Sequence, residues 1–275
     1  MSTQTITRSG SLPLSAAPPI RPTVPGLAPS AHKLALVIPT LRERGNIVAV
    51  LDEVRAALAP LSLAWEVLVV DDDSRDGTAE AVLSVCRADP RVRLLVRRGQ
   101  RGLSGAILHG WQHTDATLLA AMDADLQHPP RLLPQLLQAI HDGHDLAIAS
   151  RYARGGELGP WNPLRRLSSA AAVWATRPLQ RQWLRICDPM SGYFVVRRSC
   201  VQHISFQPSG FKLLLEILVR GRLQSVREIP FVFGQRRAGS SKAGLRVALE
   251  YLRLLARLYR LRWSWQRDLR SAAAD

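Results

Sequence analysis

The residues best equipped for chemistry lie in "MDADLQHPP", residues 122–130. Asp123 and Asp125 stand one residue apart at the end of an apolar run, and Gln127 follows two positions later. Such a group offers oxygen ligands only, the donor set that suits hard cations such as Mg2+ or Mn2+. On a strand, residues i and i+2 point to one side, so Asp123 and Asp125 are expected to address one ion. Alone the pattern is weak, because an acidic turn before a helix begun by Pro129 and Pro130 accounts for it too.

A second acidic group, "VVDDDSRDGT", places Asp72 near the end of a Val-rich run. Gly77 is expected to supply a turn, with Asp76 or Thr78 capping the next helix. Capping explains Ser74, Asp76 and Gly77, but not three acids in a row. A third polar group, Ser150–Arg151 in "ASRY", closes another apolar run. Arg151 can seat a phosphate with its planar fork, or form a surface pair with Glu157.

Other chemistries find no support. "RGQRGLSGAILHG" is neither GxGxxG nor GxxxxGK[ST], so it is not a dinucleotide or P-loop site. His109 and His113 share the i, i+4 spacing of helical metal ligands, but without HExxH they read as surface histidines. No GxSxG and no Cys/His nucleophile arrangement occurs. The odd set Cys86, Cys187 and Cys200 has no CxxC spacing, which argues against a disulfide framework or a zinc site and suits a reducing cytoplasm.

The elements that carry these residues alternate. "KLALVIPT", "WEVLVV", "VRLLVRR", "TLLAAMDAD" and "DLAIASRY" read as buried strands; helical segments follow the first four. This order implies right-handed βαβ units and a mostly parallel sheet. Ligands of such sheets bind beyond the carboxyl ends of the strands, where all three polar groups fall.

The 275 residues are 47% hydrophobic and carry a formal net charge of +15. Residues 1–150 hold 14 Lys/Arg against 15 Asp/Glu, whereas residues 151–275 hold 23 against 7. The basic half suggests a polyanionic partner: nucleic acid, anionic lipid or a phosphate-bearing substrate. Residues 1–32 read as a disordered tail rich in Ser, Pro and Ala, with no signal-peptide core. No uncharged run approaches the roughly 20 residues of a membrane helix. From Gly244 onward one long helix is expected, with Arg246, Arg253, Arg257 and Arg260 on one face. Leu249, Leu252, Leu255, Ala256 and Tyr259 fall largely elsewhere, and Trp263 and Trp265 follow. Such a helix suits the headgroup layer of a membrane.

The series "VIPTLRERGNI", "VVDDDSRDGT", "RGLSGAILHGW", "MDADLQHPP", "ASRY", "DPMSGYFVVRR", "GFKLLLEIL" and "EIPFVFGQRRAGSSK" resembles family 2 glycosyltransferases, and more narrowly their dolichol-phosphate (polyprenyl-phosphate) mannosyltransferase branch. The resemblance implies an α/β GT-A fold over residues 33–242, with residues 243–275 as an amphipathic membrane-interface helix and tail. It implies a nucleotide-sugar site at Pro39, Leu41, Glu43, Val70, Asp72, Asp123, Ala124, Arg236 and Lys242. A divalent cation, Mg or Mn, falls to Asp123, Asp125 and Gln127. Arg151, Arg165, Ser169 and Ser191 face the acceptor phosphate, and Asp125, Arg151 and Asp188 are the catalytic candidates. One departure stands out: where the family commonly reads PTYNE, this chain reads "PTLRE", so Leu41 replaces an aromatic that helps hold the base.

The expected activity is therefore inverting transfer of a hexose, mannose from GDP-mannose, to a polyprenyl phosphate. The enzyme is expected to be peripheral on the cytoplasmic face of the cell membrane. An acceptor phosphate is already an anion and needs no strong base, matching a chain with no obvious one. A glycosyltransferase using a UDP-sugar, or a glycan or protein acceptor, is the alternative; a hydroxyl acceptor would need a base such as Asp188. A nucleic-acid-binding role lacks any helix-turn-helix, zinc or RNP signature. Nothing in the sequence specifies an oligomer.

Overall fold

The computed structural model describes residues 32–159, 163–181, 184–207, 212–234 and 245–271, without the side chains of 164, 165, 245–247 and 263–271. The N-terminal tail, Arg236 and Lys242 lie outside the described residues, as do the side chains of Arg165, Arg246, Trp263 and Trp265.

Seven strands form one sheet: β1 Lys33–Thr40, β2 Ala64–Asp71, β3 Val92–Val96, β4 Leu118–Ala121, β5 Leu146–Ser150, β6 Phe194–Arg197 and β7 Val226–Pro230. Their order is β3-β2-β1-β4-β6-β5-β7. All run parallel except β6, which pairs antiparallel with both β4 and β5. The first strands are continuous apolar runs because helices cover both sheet faces. On one face Leu36, Ile38, Val67 and Val69 pack with α1 (Ile47–Leu58) and α4 (Leu133–His141). On the other, Val37, Val70 and Leu119 pack with α3 (Leu103–Gln112) and α6 (Leu213–Arg220). Gly110 allows α3 this approach, since a Cβ there would lie 2.6 Å from Val37 Cγ2.

Helix α2 spans Thr78–Ala88 and α5 spans Pro163–Trp174. The long helix expected at the C-terminus is α7, Leu245–Ser271. Its Leu254, Leu255 and Leu258 are buried against Leu179, Leu215 and Val219, forming a third core. Tyr251 and Tyr259 donate their hydroxyls to the carbonyls of Ala172 and Ala175, tying α7 to α5. The arginine face is divided. Arg257 is 21% exposed and pairs with buried Glu216 at 2.8 Å, whereas Arg253 and Arg260 are exposed. No described helix is long and apolar enough to cross a membrane.

Candidate active site

The order reverses between β1 and β4, the crevice where open α/β sheets bind ligands. Here β4 stops at Ala121, so Asp123 and Asp125 stand in the following loop rather than on the strand. Strand alternation therefore does not align them. The loop does, with Leu126 at φ 61° turning the chain back. Asp125 is buried and its Oδ1 accepts the Gln127 N–H at 3.1 Å. Asp123 is 33% exposed; its Oδ2 faces Nδ1 of buried His128 at 3.3 Å. Burial pushes the Asp123 carboxyl upward, but His128, Lys212 and Arg151 outweigh it and leave the group below its ordinary range. Gln127 donates Nε2–H to the Gly234 carbonyl at 3.1 Å, which fixes the amide and leaves its oxygen for a ligand.

This donor set fits a hard divalent ion: two carboxylates and an amide oxygen, with no nitrogen or sulfur. Among the described residues no cluster of three or more His, Cys, Asp or Glu could hold a metal. Further ligands must therefore come from substrate or solvent, the usual manner of Mg2+ at phosphates.

The acidic run ending β2 is fully employed. Asp71 accepts from the Thr40 hydroxyl at 2.8 Å and from Ser74 N and Oγ at 2.7 and 2.6 Å. Asp72 receives Arg97 on Oδ1 and the Gly102 N–H on Oδ2, both at 2.8 Å. Asp73, at φ 55°, pairs with Arg75. Asp76 takes the Thr78 amide and hydroxyl, so the acid restrains the start of α2 as expected. Pro39 and Val70 are buried on adjacent strands, in register with each other. Leu41 and Glu43 follow β1 half-buried, and Glu43 is hydrogen-bonded by Asn46 Nδ2 at 2.9 Å. Ala124 is buried within the Asp123–Asp125 loop.

At the end of β5, Arg151 pairs with Asp188, not with Glu157. Its Nε and Nη2 meet Oδ2 and Oδ1 at 2.7 and 2.8 Å, and its backbone N–H adds a third bond at 3.0 Å. Asp188 is wholly buried, its own N–H held by Glu228 at 3.0 Å. Burial opposes the Arg151 charge, but the Asp188 bonds outweigh it and raise its pKa. The chain then turns through Ser191, whose hydroxyl receives the Tyr193 N–H at 3.1 Å. Gly192 lies against the metal loop: a Cβ there would sit 3.0 Å from Asp123 Oδ2. Ser169 of α5 accepts the Tyr152 hydroxyl at 2.7 Å, bringing α5 to the same rim. One wall thus joins Asp123, Ser191, Asp188 and Arg151.

Sequence reasoning missed Arg97, His128, Lys212 and Glu228, all defined by long-range partners. Only "GFK", containing Lys212, had been marked, and without a role.

This sheet, with oxygen donors and an arginine at its carboxyl rim, is the GT-A glycosyltransferase fold. The glycosyl transferase family 2 profile matches residues 35–205, and the chain belongs to that family. Within it, the curated relatives are dolichol-phosphate mannosyltransferases. That of Pyrococcus furiosus is 39% identical over 236 residues, covering 86% of this chain and 66% of the relative. The chain thus spans about two thirds of that relative's length. The enzyme of Saccharomyces cerevisiae is 35% identical over 235 residues, covering 82% of this chain and 86% of its own. Among solved structures, mannosyl-3-phosphoglycerate synthase from Rubrobacter xylanophilus superposes with a TM-score of 0.62 at 21% identity, over 85% of this chain and 75% of its own. Glucosyl-3-phosphoglycerate synthase from Mycobacterium tuberculosis, in complex with Mn2+, UDP-glucose and phosphoglyceric acid, gives 0.63 at 19%, over 83% and 80%. The last two attest the fold.

Proposed function

We propose that the protein transfers mannose from GDP-mannose to a polyprenyl phosphate at a membrane surface, inverting the anomeric configuration. The observation that carries this reading is the state of Asp188. Transfer to a hydroxyl needs a carboxylate base near the sugar, and Asp188 was the candidate. It is buried and locked on Arg151 through both oxygens. A phosphate acceptor needs no base. The names of the curated relatives support the same acceptor and sugar.

In the proposed reaction a phosphate oxygen of the acceptor forms a bond to the anomeric carbon as the bond to the donor's β-phosphate breaks. No proton need move. Asp123, Asp125 and Gln127 would hold the divalent cation, which when bound neutralises charge on the departing diphosphate. Arg151, fixed in place by Asp188, adds positive potential beside the reacting phosphates, as would Arg236 and Lys242. Arg165, Ser169 and Ser191 stand in this reading on the acceptor side, with the nucleoside over Pro39, Leu41, Glu43, Val70 and Asp72.

The membrane assignment rests on α5 and α7. Leu167 and Trp174 are 69% and 68% exposed, Leu249 and Leu252 46% and 58%, on two helices tied side by side. With exposed Arg253 and Arg260 they suit an anionic headgroup layer, proposed as the cytoplasmic face of the cell membrane.

The decisive experiment incubates purified protein and Mg2+ or Mn2+ with a panel of nucleotide sugars and a short polyprenyl phosphate. Mannose-labelled lipid from GDP-mannose alone is expected. Leu41, in the base-holding position, makes UDP-sugars the essential comparison. Transfer to a polyprenol or glycan hydroxyl, with none to the phosphate, would overturn the acceptor assignment.

A further inference from the structure

Lys212 lies immediately before α6 and was given no part in the reaction above. Its ammonium has three donors. The structure gives it one hydrogen bond, a long 3.3 Å contact to the Met190 carbonyl, and no ion pair among the described residues. That carbonyl belongs to the turn between Asp188, which receives Arg151, and Gly192, which abuts Asp123. Lys212 therefore sits where the metal loop and the Arg151 wall meet. Arg151, Asp123 and Asp188 are all near enough to act on its charge. Burial, then Arg151, holds its pKa below the ordinary lysine value, while the two acids pull it up.

The two cations of this wall differ. Arg151 commits one edge of its guanidinium to a carboxylate. Lys212, partly buried beside another positive charge, has no carboxylate and one weak acceptor. A charge drawn out of water without hydrogen bonds is costly, so an ammonium held this way calls for an anionic ligand. Lysine binds phosphate as a compact point charge.

We propose that Lys212 is a phosphate-binding residue of the transfer site, its spare donors meeting a non-bridging phosphate oxygen. The proposal rests on the glycosyl-transfer reading, in which two phosphates share this wall: the donor's diphosphate and the acceptor's monophosphate. Both offer the same chemistry to an ammonium.

Calorimetry on the full chain separates them, using GDP with Mn2+ in one arm and a short-chain polyprenyl phosphate in the other. Lys212→Met keeps the stem and removes the donors; Lys212→Arg keeps a cation. Lys212→Met is expected to weaken one arm by about 10- to 100-fold, as for loss of a charged hydrogen bond. Lys212→Arg should recover part of it, and the weakened arm identifies the phosphate. If Lys212 only ties α6 to the 188–192 turn, Lys212→Met will melt earlier yet bind both ligands like wild type, which overturns the proposal. Should Lys212→Met fail to fold, Lys212→Gln decides: weakened binding with a normal melt supports it, and unchanged binding in both arms overturns it. A wild-type enzyme that binds GDP but glycosylates no polyprenyl phosphate would fault the acceptor reading, and the GDP arm would still test Lys212.

Discussion

At the scale of single residues, charge has already been spent before any substrate arrives. Asp72 and Asp188 each hold an arginine, and Asp125 is bound by its own loop. Asp125→Asn preserves that loop, since an amide oxygen still accepts the Gln127 N–H, but removes a negative charge from the cation site. Metal-dependent transfer should fall by about 100-fold or more with an unchanged melting temperature. Turnover close to wild type would remove Asp125 from the metal site. Arg151→Lys retains the charge and loses the fork, because lysine cannot span both Asp188 oxygens. Asp188 is wholly buried, so the variant should lose about 2 kcal/mol of stability as well as most of its kcat. Denaturant titration beside steady-state kinetics checks both; a stable, fully active variant would contradict the pairing.

Elements are tied at their ends by similar pairs. Asp89, after α2, accepts from Arg55 of α1 and from Arg91 ahead of β3. Arg91 first, with Arg55 assisting, holds the Asp89 carboxyl at about 2. An unfolded aspartate titrates near pH ~3.9. The folded value is the lower one, so this stabilisation is fully present above pH ~4 and is lost as pH falls through about 2. Asp89→Asn should cost about 1 kcal/mol at pH 7, a discounted figure because solvent screens Arg91. The gap from wild type, measured by urea unfolding, should narrow on acidification below pH ~4. A gap independent of pH would exclude the charge as its source. The parallel units were legible because doubly covered strands such as "KLALVI" and "EVLVV" are unbroken apolar runs between capped helices. Strand β6 was not: "FVVR" is four residues long, and only β4 and β5 on either side make it a strand. The site divides similarly. Residue types at strand ends revealed Asp123, Asp125 and Arg151, but Asp188 as the partner of Arg151 depends on a distance a lone sequence does not contain. Proximity also replaced Glu157 by Asp188.

For the whole molecule, α7 both completes a core and borders the exposed apolar face. Deleting it would strip Leu254, Leu255 and Leu258 from Leu179, Leu215 and Val219. Truncation thus confounds unfolding with loss of membrane binding. Point changes at Trp174 and Leu252 do not, since both are mostly exposed. Wild type should pellet with phosphatidylglycerol vesicles and release at high salt. Trp174→Glu and Leu252→Glu should each lower partitioning by roughly tenfold, with unaltered melting. Equal pelleting of all three would move the contact elsewhere.

The reversed strand β6 also sets a timetable for synthesis. Strands β3, β2, β1 and β4 can associate once Ala121 has been made, but β5 has no sheet neighbour until β6 or β7 appears. At about 5–20 residues per second, the ribosome leaves an all-apolar edge uncovered for a few seconds in every molecule. An open edge of that kind is a template for pairing with other nascent chains. Weakening β6, for example by Val195→Ala, should therefore depress soluble yield in cells far more than it lowers the specific activity of the protein that does fold. Parallel losses in both would place the vulnerability in the finished enzyme instead.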